Sequence, residues 1–195
     1  MSSRRFPGKV LAPFRGEPII LHVVRRARAL RGIAETVVLT SDQPSDDPLA
    51  AYCEHAGIPL RRGPLDDVLA RFRAFATGSP HAWLLRLSAD SPLLDGDVLQ
   101  RLIDHPDREL ADIVTTIFPR TFPRGQNGEL IRAASLLSLP QPELSASDRE
   151  HVTPWFYAHP ERYRILNVAS SEPSLAERTM AVDTVEDLQR LEGRP

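Results

Sequence analysis

Cysteine, lysine and long apolar runs are scarce in this sequence. One cysteine, Cys53, among 195 residues leaves no intramolecular disulfide and no cysteine cage for zinc, and it fits a reducing compartment. No apolar stretch approaches the ~20 residues that a membrane span needs; the longest, Ile19 to Val24, is broken by His22. No basic-then-apolar leader is visible, so a cytoplasmic chain without a membrane partner is expected. With 24 basic against 26 acidic side chains and a formal net charge of −2, the basic surplus of a general nucleic-acid binder is missing too. The Gly-x4-Gly-Lys-Ser/Thr loop, the His-Glu-x-x-His pair and the Gly-x-Ser-x-Gly elbow are likewise absent. What remains is 42% apolar and 26% charged residues, enough to bury the core of one domain, or of one with a small appendage.

Periodicity organises the first half. Ile19, Ile20, Val23, Val24, Ala27 and Leu30 fall on one helical stripe between Pro18 and Arg31, and Gly32 stops it. Thr36 to Thr40 and Trp83 to Leu87 are nearly continuous apolar runs, as strands buried on both faces require. Between them lie a helix opened by Ser45-Asp46-Asp47-Pro48 and closed by Gly57, a short strand at Ile58 to Leu60, and a helix from Asp66 to Ala76. A helix from Asp97 to His105 and a strand from Ile113 to Ile117 follow. Strands alternating with helices predict an α/β sheet, mainly parallel, with helices on both faces.

The second half is less regular. Pro119 to Gly128 reads as a loop and Leu136 to Ser147 is rich in Ser and Pro. Ser147-Asp148-Arg149-Glu150 reads as a capping box before a helix running to Ala158. Arg164 to Val168 and Thr179 to Val182 read as strands, and Thr184 caps a last helix from Val185 to Leu191.

Ligands of open α/β sheets bind beyond the carboxyl ends of the strands, which singles out Thr40, Asp90 and Asp183. Asp90 and Asp183 read either as a pair holding Mg²⁺, which takes one or two carboxylates plus phosphate oxygens, or as caps of the helices that follow. Ser2-Ser3-Arg4-Arg5-Phe6-Pro7-Gly8-Lys9 reads either as a phosphate-cradling loop or as a basic tail. Lys9 is the only lysine among 24 basic residues, the other 23 being arginine; a compact ammonium suits phosphate as a point charge. His151 reads either as a substrate ligand or general base, or as a surface residue. Glu150 reads as a capping residue and Cys53 as core.

Taken together, Ser2 to Leu11, Arg62 to Phe72, Arg86 to Leu93, Phe122 to Gly125, Arg149 to Pro154 and Ala181 to Leu188 resemble, in order, the motifs of the cytidylyltransferases that activate sugars. The spore-coat polysaccharide biosynthesis type is most similar, and the 3-deoxy-manno-octulosonate and acylneuraminate cytidylyltransferases are more distant. The resemblance implies a nucleotide-diphospho-sugar transferase fold, with a Rossmann-like nucleotide half over residues 1–118. A second half, residues 119–195, would receive the sugar and a partner subunit in a homodimer. It implies transfer of CMP from CTP to a sugar, sugar acid or sugar phosphate for surface polysaccharide, with release of pyrophosphate. Arg5, Lys9 and Asp90 become the catalytic candidates, and Asp90 and Asp183 the magnesium ligands. Ser3, Arg5, Gly8, Lys9, Thr40, Asp67, Arg71 and Asp90 become nucleotide-binding candidates; Arg124, Glu150 and His151 become acceptor-binding ones. Other readings keep the fold with a different nucleotide or with glycosyl transfer, or make the chain a truncated, non-catalytic nucleotide-binding domain. Members of this family begin with an apolar strand that ends in Ala-Arg-Met. Met1 aligns with that methionine, so the first strand is expected to be missing, two sheet edges to lie unpaired inside, and the natural start to lie upstream.

Overall fold

Apolar side chains placed alternately on two faces set the architecture of the computed structural model, which describes residues 5–193. In the strand Ile113–Thr115 (β6), Ile113 joins one apolar cluster and Val114 another, and in Gly128–Arg132 (β7) Ile131 and Leu130 divide in the same way. Successive strand side chains point to opposite faces, so this sheet needs cover on both. The helix Gly96–Ile103 (α4) supplies one layer through Leu99 and Leu102. The other layer comes from Val68–Gly78 (α3), Ala133–Leu137 (α5) and Pro154–Ala158 (α7) through Leu69, Leu136 and Phe156. The expected helix-covered α/β sheet is present.

Its ladder is mixed and comes in two pieces. Trp83–Leu87 (β5) pairs antiparallel with β7, β7 antiparallel with β6, and β6 parallel with Ile165–Asn167 (β8). Separately, Val38–Ser41 (β3) pairs parallel with Leu60–Gly63 (β4), and a small hairpin joins Pro13–Phe14 (β1) to Glu17–Pro18 (β2). Among the described residues no strand lies between β3 and β5. Their facing edges line an apolar groove of about 570 Å³, together with Ile20, Val24, Phe72 and Phe75. The expected unpaired interior edges are therefore seen. The remaining helices are Ile19–Arg28 (α1), Asp47–His55 (α2), Ala146–His151 (α6) and Val185–Glu192 (α8). No helix among the described residues is long and apolar enough to cross a membrane.

Local chemistry explains most element ends. Asp67 begins α3 by accepting from Ala70 N at 2.7 Å, and Asp95 begins α4 by accepting from Asp97 N and Val98 N. Asp46 sits 2% exposed beyond β3 and accepts from Thr40 Oγ1 at 2.6 Å, Ser41 Oγ at 2.7 Å and Ser41 N at 2.9 Å. Burial opposes its charge, yet these donors hold its carboxyl below the usual carboxylate range. A carboxyl depressed on folding stabilises above its unfolded pKa, near 4, and that stability is lost as pH falls further. The wild-type urea midpoint is therefore expected to drop more steeply below pH ~4 than that of Asp46→Asn, which starts lower at pH 7 and runs flatter.

Four readings change in the second half. The capping box is Ser145 with Asp148, two residues before the expected one; Ser147 and Glu150 take no part. The helix expected to continue to Ala158 breaks into α6 and α7 at Val152, which has φ 76°. The expected loop ends at Gly128 in a strand, Gly128–Arg132 (β7), which lies inside the larger piece of sheet. Thr179 to Val182 is not a strand: among the described residues its ladder contact is one bridge, from Thr179 to Arg124 on a loop.

Candidate active site

Two carboxylates 93 positions apart in sequence meet over one ammonium group. Gly8, at φ 72°, takes a left-handed backbone that costs glycine little and opens the single turn Lys9–Leu11. From there Lys9 Nζ donates to Asp90 Oδ2 at 2.7 Å and to Asp183 Oδ1 at 2.9 Å. Arg5 Nη2 reaches the other oxygen of Asp183, Oδ2, at 3.0 Å. The Lys9 side chain is 14% exposed and those of Asp90 and Asp183 are 24% and 39% exposed, so the carboxylates open to solvent while the ammonium lies behind them. Burial alone would lower the Lys9 pKa, but Asp90 and Asp183 outweigh it and raise it above the usual lysine range. Burial also opposes the charge of Asp183, which Lys9 and Arg5 hold below the usual carboxylate range.

Neither aspartate is a helix cap. Asp95, not Asp90, caps α4, and Thr184, not Asp183, caps α8 in a capping box with Asp187. That box also fixes the Asp183 backbone, whose N–H donates to Asp187 Oδ2 at 3.1 Å. Val182 N donates to Asp90 O at 2.9 Å, stitching the two aspartate segments together. A close approach on the other side requires glycine: at Gly125, φ 94°, a Cβ would stand 2.5 Å from Met180 C and from Ala181 N. The Pro123–Gln126 turn thereby lies along the segment leading to Asp183, held by Met180 N donating to Arg124 O at 2.6 Å.

The other candidates make contacts of their own. Thr40 is buried and donates to Asp46. Asp67 pairs with Arg149 at 3.1 Å. Arg71, half-buried, reaches Leu39 O at 3.4 Å, and desolvation lowers its pKa. Arg124 is exposed on the Gly125 turn, and Glu150 and His151 are exposed at the end of α6. Ser3 lies outside the described residues. The apolar groove between β3 and β5 stops at Ser88 and Ala89, so it adjoins the Asp90 segment without including Lys9 or Asp183.

One polar cluster has no counterpart in the sequence reading. Glu129 of β7 is 1% exposed, pairs with Arg86 of β5, and accepts from Thr153 Oγ1 at 2.6 Å and Tyr157 OH at 2.7 Å. With its one proton given to Glu129, the Tyr157 oxygen accepts from the Thr115 hydroxyl, Oγ1, at 3.0 Å. A glutamate inside Gly-Glu-Leu-Ile-Arg was the available signal, since an acid facing a core needs partners. Next to it, Arg120 donates to Asn127 Oδ1 at 2.6 Å; desolvation first, and then the nearby Arg124 charge, lower its pKa.

The donor set fits a hard divalent cation. Two carboxylates already converge on one positive charge, and oxygen ligands are what Mg²⁺ takes. No group of three or more His, Cys, Asp or Glu side chains capable of holding a metal occurs among the described residues. A metal at Asp90 and Asp183 would thus draw its remaining ligands from phosphate and water.

Comparison with known proteins adds a lineage. Residues 1–192 match the family model described as cytidylyltransferase. The spore coat polysaccharide biosynthesis protein SpsF of Bacillus subtilis is 29% identical over 199 residues, covering 99% of this chain and 82% of that protein. A 3-deoxy-manno-octulosonate cytidylyltransferase of Anaeromyxobacter sp. is 32% identical over 130 residues, 64% of this chain and 51% of that protein. The structure of a cytidylyltransferase from Leptospira borgpetersenii superposes with a TM-score of 0.90 at 26% identity, covering 98% of this chain and 81% of that one.

Proposed function

Because the chain belongs to the cytidylyltransferase family, we propose that it transfers CMP from CTP to a sugar acid or related sugar during the synthesis of a surface polysaccharide. The observation that supports this most is the Lys9 ammonium gripped by Asp90 and Asp183 at 2.7 and 2.9 Å: a cation and a carboxylate pair at one solvent-open point, as a metal-bound triphosphate requires. An acceptor hydroxyl attacks the α-phosphorus, the new oxygen–phosphorus bond forms, and the bond to the β-phosphate oxygen breaks. Pyrophosphate departs with that electron pair, and the hydroxyl proton leaves to water. Such transfers depend on positioning and charge neutralisation. Arg5 and Lys9 neutralise the departing phosphates, and Gly8 brings the backbone close to them. Asp90 and Asp183 would hold Mg²⁺, which when bound supplies Lewis-acid stabilisation of charge on phosphate oxygens.

Residues 119–195 serve the acceptor in this reading. Arg120 feels the charge of the exposed Arg124, which lies on the turn beside Met180–Ala181, and two like charges so placed favour a carboxylate-bearing sugar. His151 and Glu150 lie further out, at the end of α6, and Asp67 and Arg71 border the nucleotide side. The working protein is a cytoplasmic homodimer.

A thermal-shift series tests the reading. A ligand bound only by the folded state adds RT ln(1 + [L]/Kd), about 2.7 kcal/mol at a hundredfold excess over Kd. CTP with Mg²⁺ is expected to raise the melting temperature more than GTP, UTP or ATP, and Asp90→Asn is expected to remove most of the magnesium dependence. Equal shifts from all four nucleotides would overturn the choice of base, and no shift from any would overturn the function.

A further inference from the structure

Lys9 sits between the two members of the carboxylate pair and is paired with both. We propose that Lys9 is a resident counter-ion. In the nucleotide-free protein its ammonium holds the place of a divalent cation and keeps metal out. Arrival of the nucleotide draws it onto the triphosphate and so frees Asp90 and Asp183. The inference rests on the cytidylyltransferase reading and adds to it an order of events: nucleotide gates metal.

Three observations support it. The ammonium contacts one oxygen of each carboxylate, at 2.7 and 2.9 Å, so Lys9 in this position would compete with a divalent cation for the charge of the same pair. Arg5 holds the second oxygen of Asp183 at 3.0 Å, so both oxygens of that carboxylate are paired within the chain. The side chain is also suited to move. Lysine is a point charge on a flexible four-carbon stem with three rotatable donors, whereas an arginine fork would bind a carboxylate in a fixed bidentate geometry. In a chain that otherwise uses arginine at every basic position, lysine stands where mobility of the charge is needed. Without it the two carboxylates would face each other, and like charges at close range demand a cation.

The composition offers a direct probe. Lys9 is the only lysine, so wild-type protein free of any lysine-containing tag and labelled with ¹³Cε-lysine gives a single lysine side-chain NMR signal. That signal is expected to stay in place when millimolar Mg²⁺ is added alone and to shift when CTP is added, with or without Mg²⁺. In parallel, the electron-spin resonance of Mn²⁺ measures metal binding without turnover. Lys9→Met, and Lys9→Gln as a neutral variant that keeps a donor, are expected to bind Mn²⁺ alone at least tenfold more tightly than wild type. Both are expected to bind CTP at least tenfold more weakly. Displacement of the lysine signal by Mg²⁺ alone would overturn the inference, as would unchanged Mn²⁺ affinity in a folded neutral variant. Should both variants fail to fold, the wild-type NMR signal decides. CTP binding that leaves the signal unmoved sinks this inference alone, whereas absence of CTP binding sinks the cytidylyltransferase reading beneath it.

Discussion

Asp183→Asn is expected to cut CTP-dependent pyrophosphate release by about 10²–10³-fold, the scale on which losing one preorganised electrostatic group reduces turnover. At 1.36 kcal/mol per tenfold, this is about 3–4 kcal/mol of transition-state stabilisation. The substitution is close to isosteric and removes charge from one of only two carboxylates at the centre. Its effect on folding is expected to be modest: the pairs with Lys9 and Arg5 that it weakens are partly exposed and screened, and the α8 capping box is made by Thr184 and Asp187. A urea midpoint close to wild type, together with the fall in turnover, is the expected pairing. Turnover at the wild-type level would remove Asp183 from the reaction.

The largest expected effect on stability lies elsewhere, at Arg86. Glu129 is 1% exposed, and Arg86 is its ion-pair partner; the hydroxyls of Thr153 and Tyr157 supply the remaining donors. Arg86→Met strands a buried carboxylate with neutral donors only, and breaking a buried pair in this way typically costs ~3–5 kcal/mol. Burial and the Glu129 charge already push the Tyr157 hydroxyl far above its ordinary pKa, so that hydroxyl cannot give up its proton to relieve the strain. The loss is expected as a lower urea midpoint with the slope retained. The double variant Arg86→Met, Glu129→Leu is expected to recover part of it, since replacing a whole buried pair with apolar groups is often neutral. A single variant as stable as wild type would show that the pair contributes nothing.

Legibility in the sequence followed the physics of each element. β6 is visible because both its faces are buried, and β5 because its run is apolar at every position but Arg86. β7 is hidden because it starts at a glycine and carries Glu129 and Arg132, and only the tertiary partners of Glu129 make an acid tolerable there. The break at Val152 has one sequence signal, Pro154, which has no backbone N–H with which to continue α6 and instead opens α7. A positive φ at a β-branched residue has no such signal. Asp90 and Asp183 stand out as acids at the ends of apolar runs, yet whether they cap or bind depends on their neighbours. Asp95 and Thr184 take the caps and release them. That Lys9, 174 positions from Asp183, sits between the pair lies beyond any spacing rule.

A sheet interrupted in its middle has four edges where an intact one has two. Two of the four, along Val38–Ser41 and Trp83–Leu87, look across the same apolar groove, and unpaired strand edges are templates for other extended chains. Natural sheets often guard such edges with lysine, and the one lysine here is spent at the carboxylates. Aggregation on concentration is therefore expected to start at this seam, and amide hydrogens of Val38–Ser41 and Trp83–Leu87 that exchange as slowly as those of β6 and β7 would show that it does not.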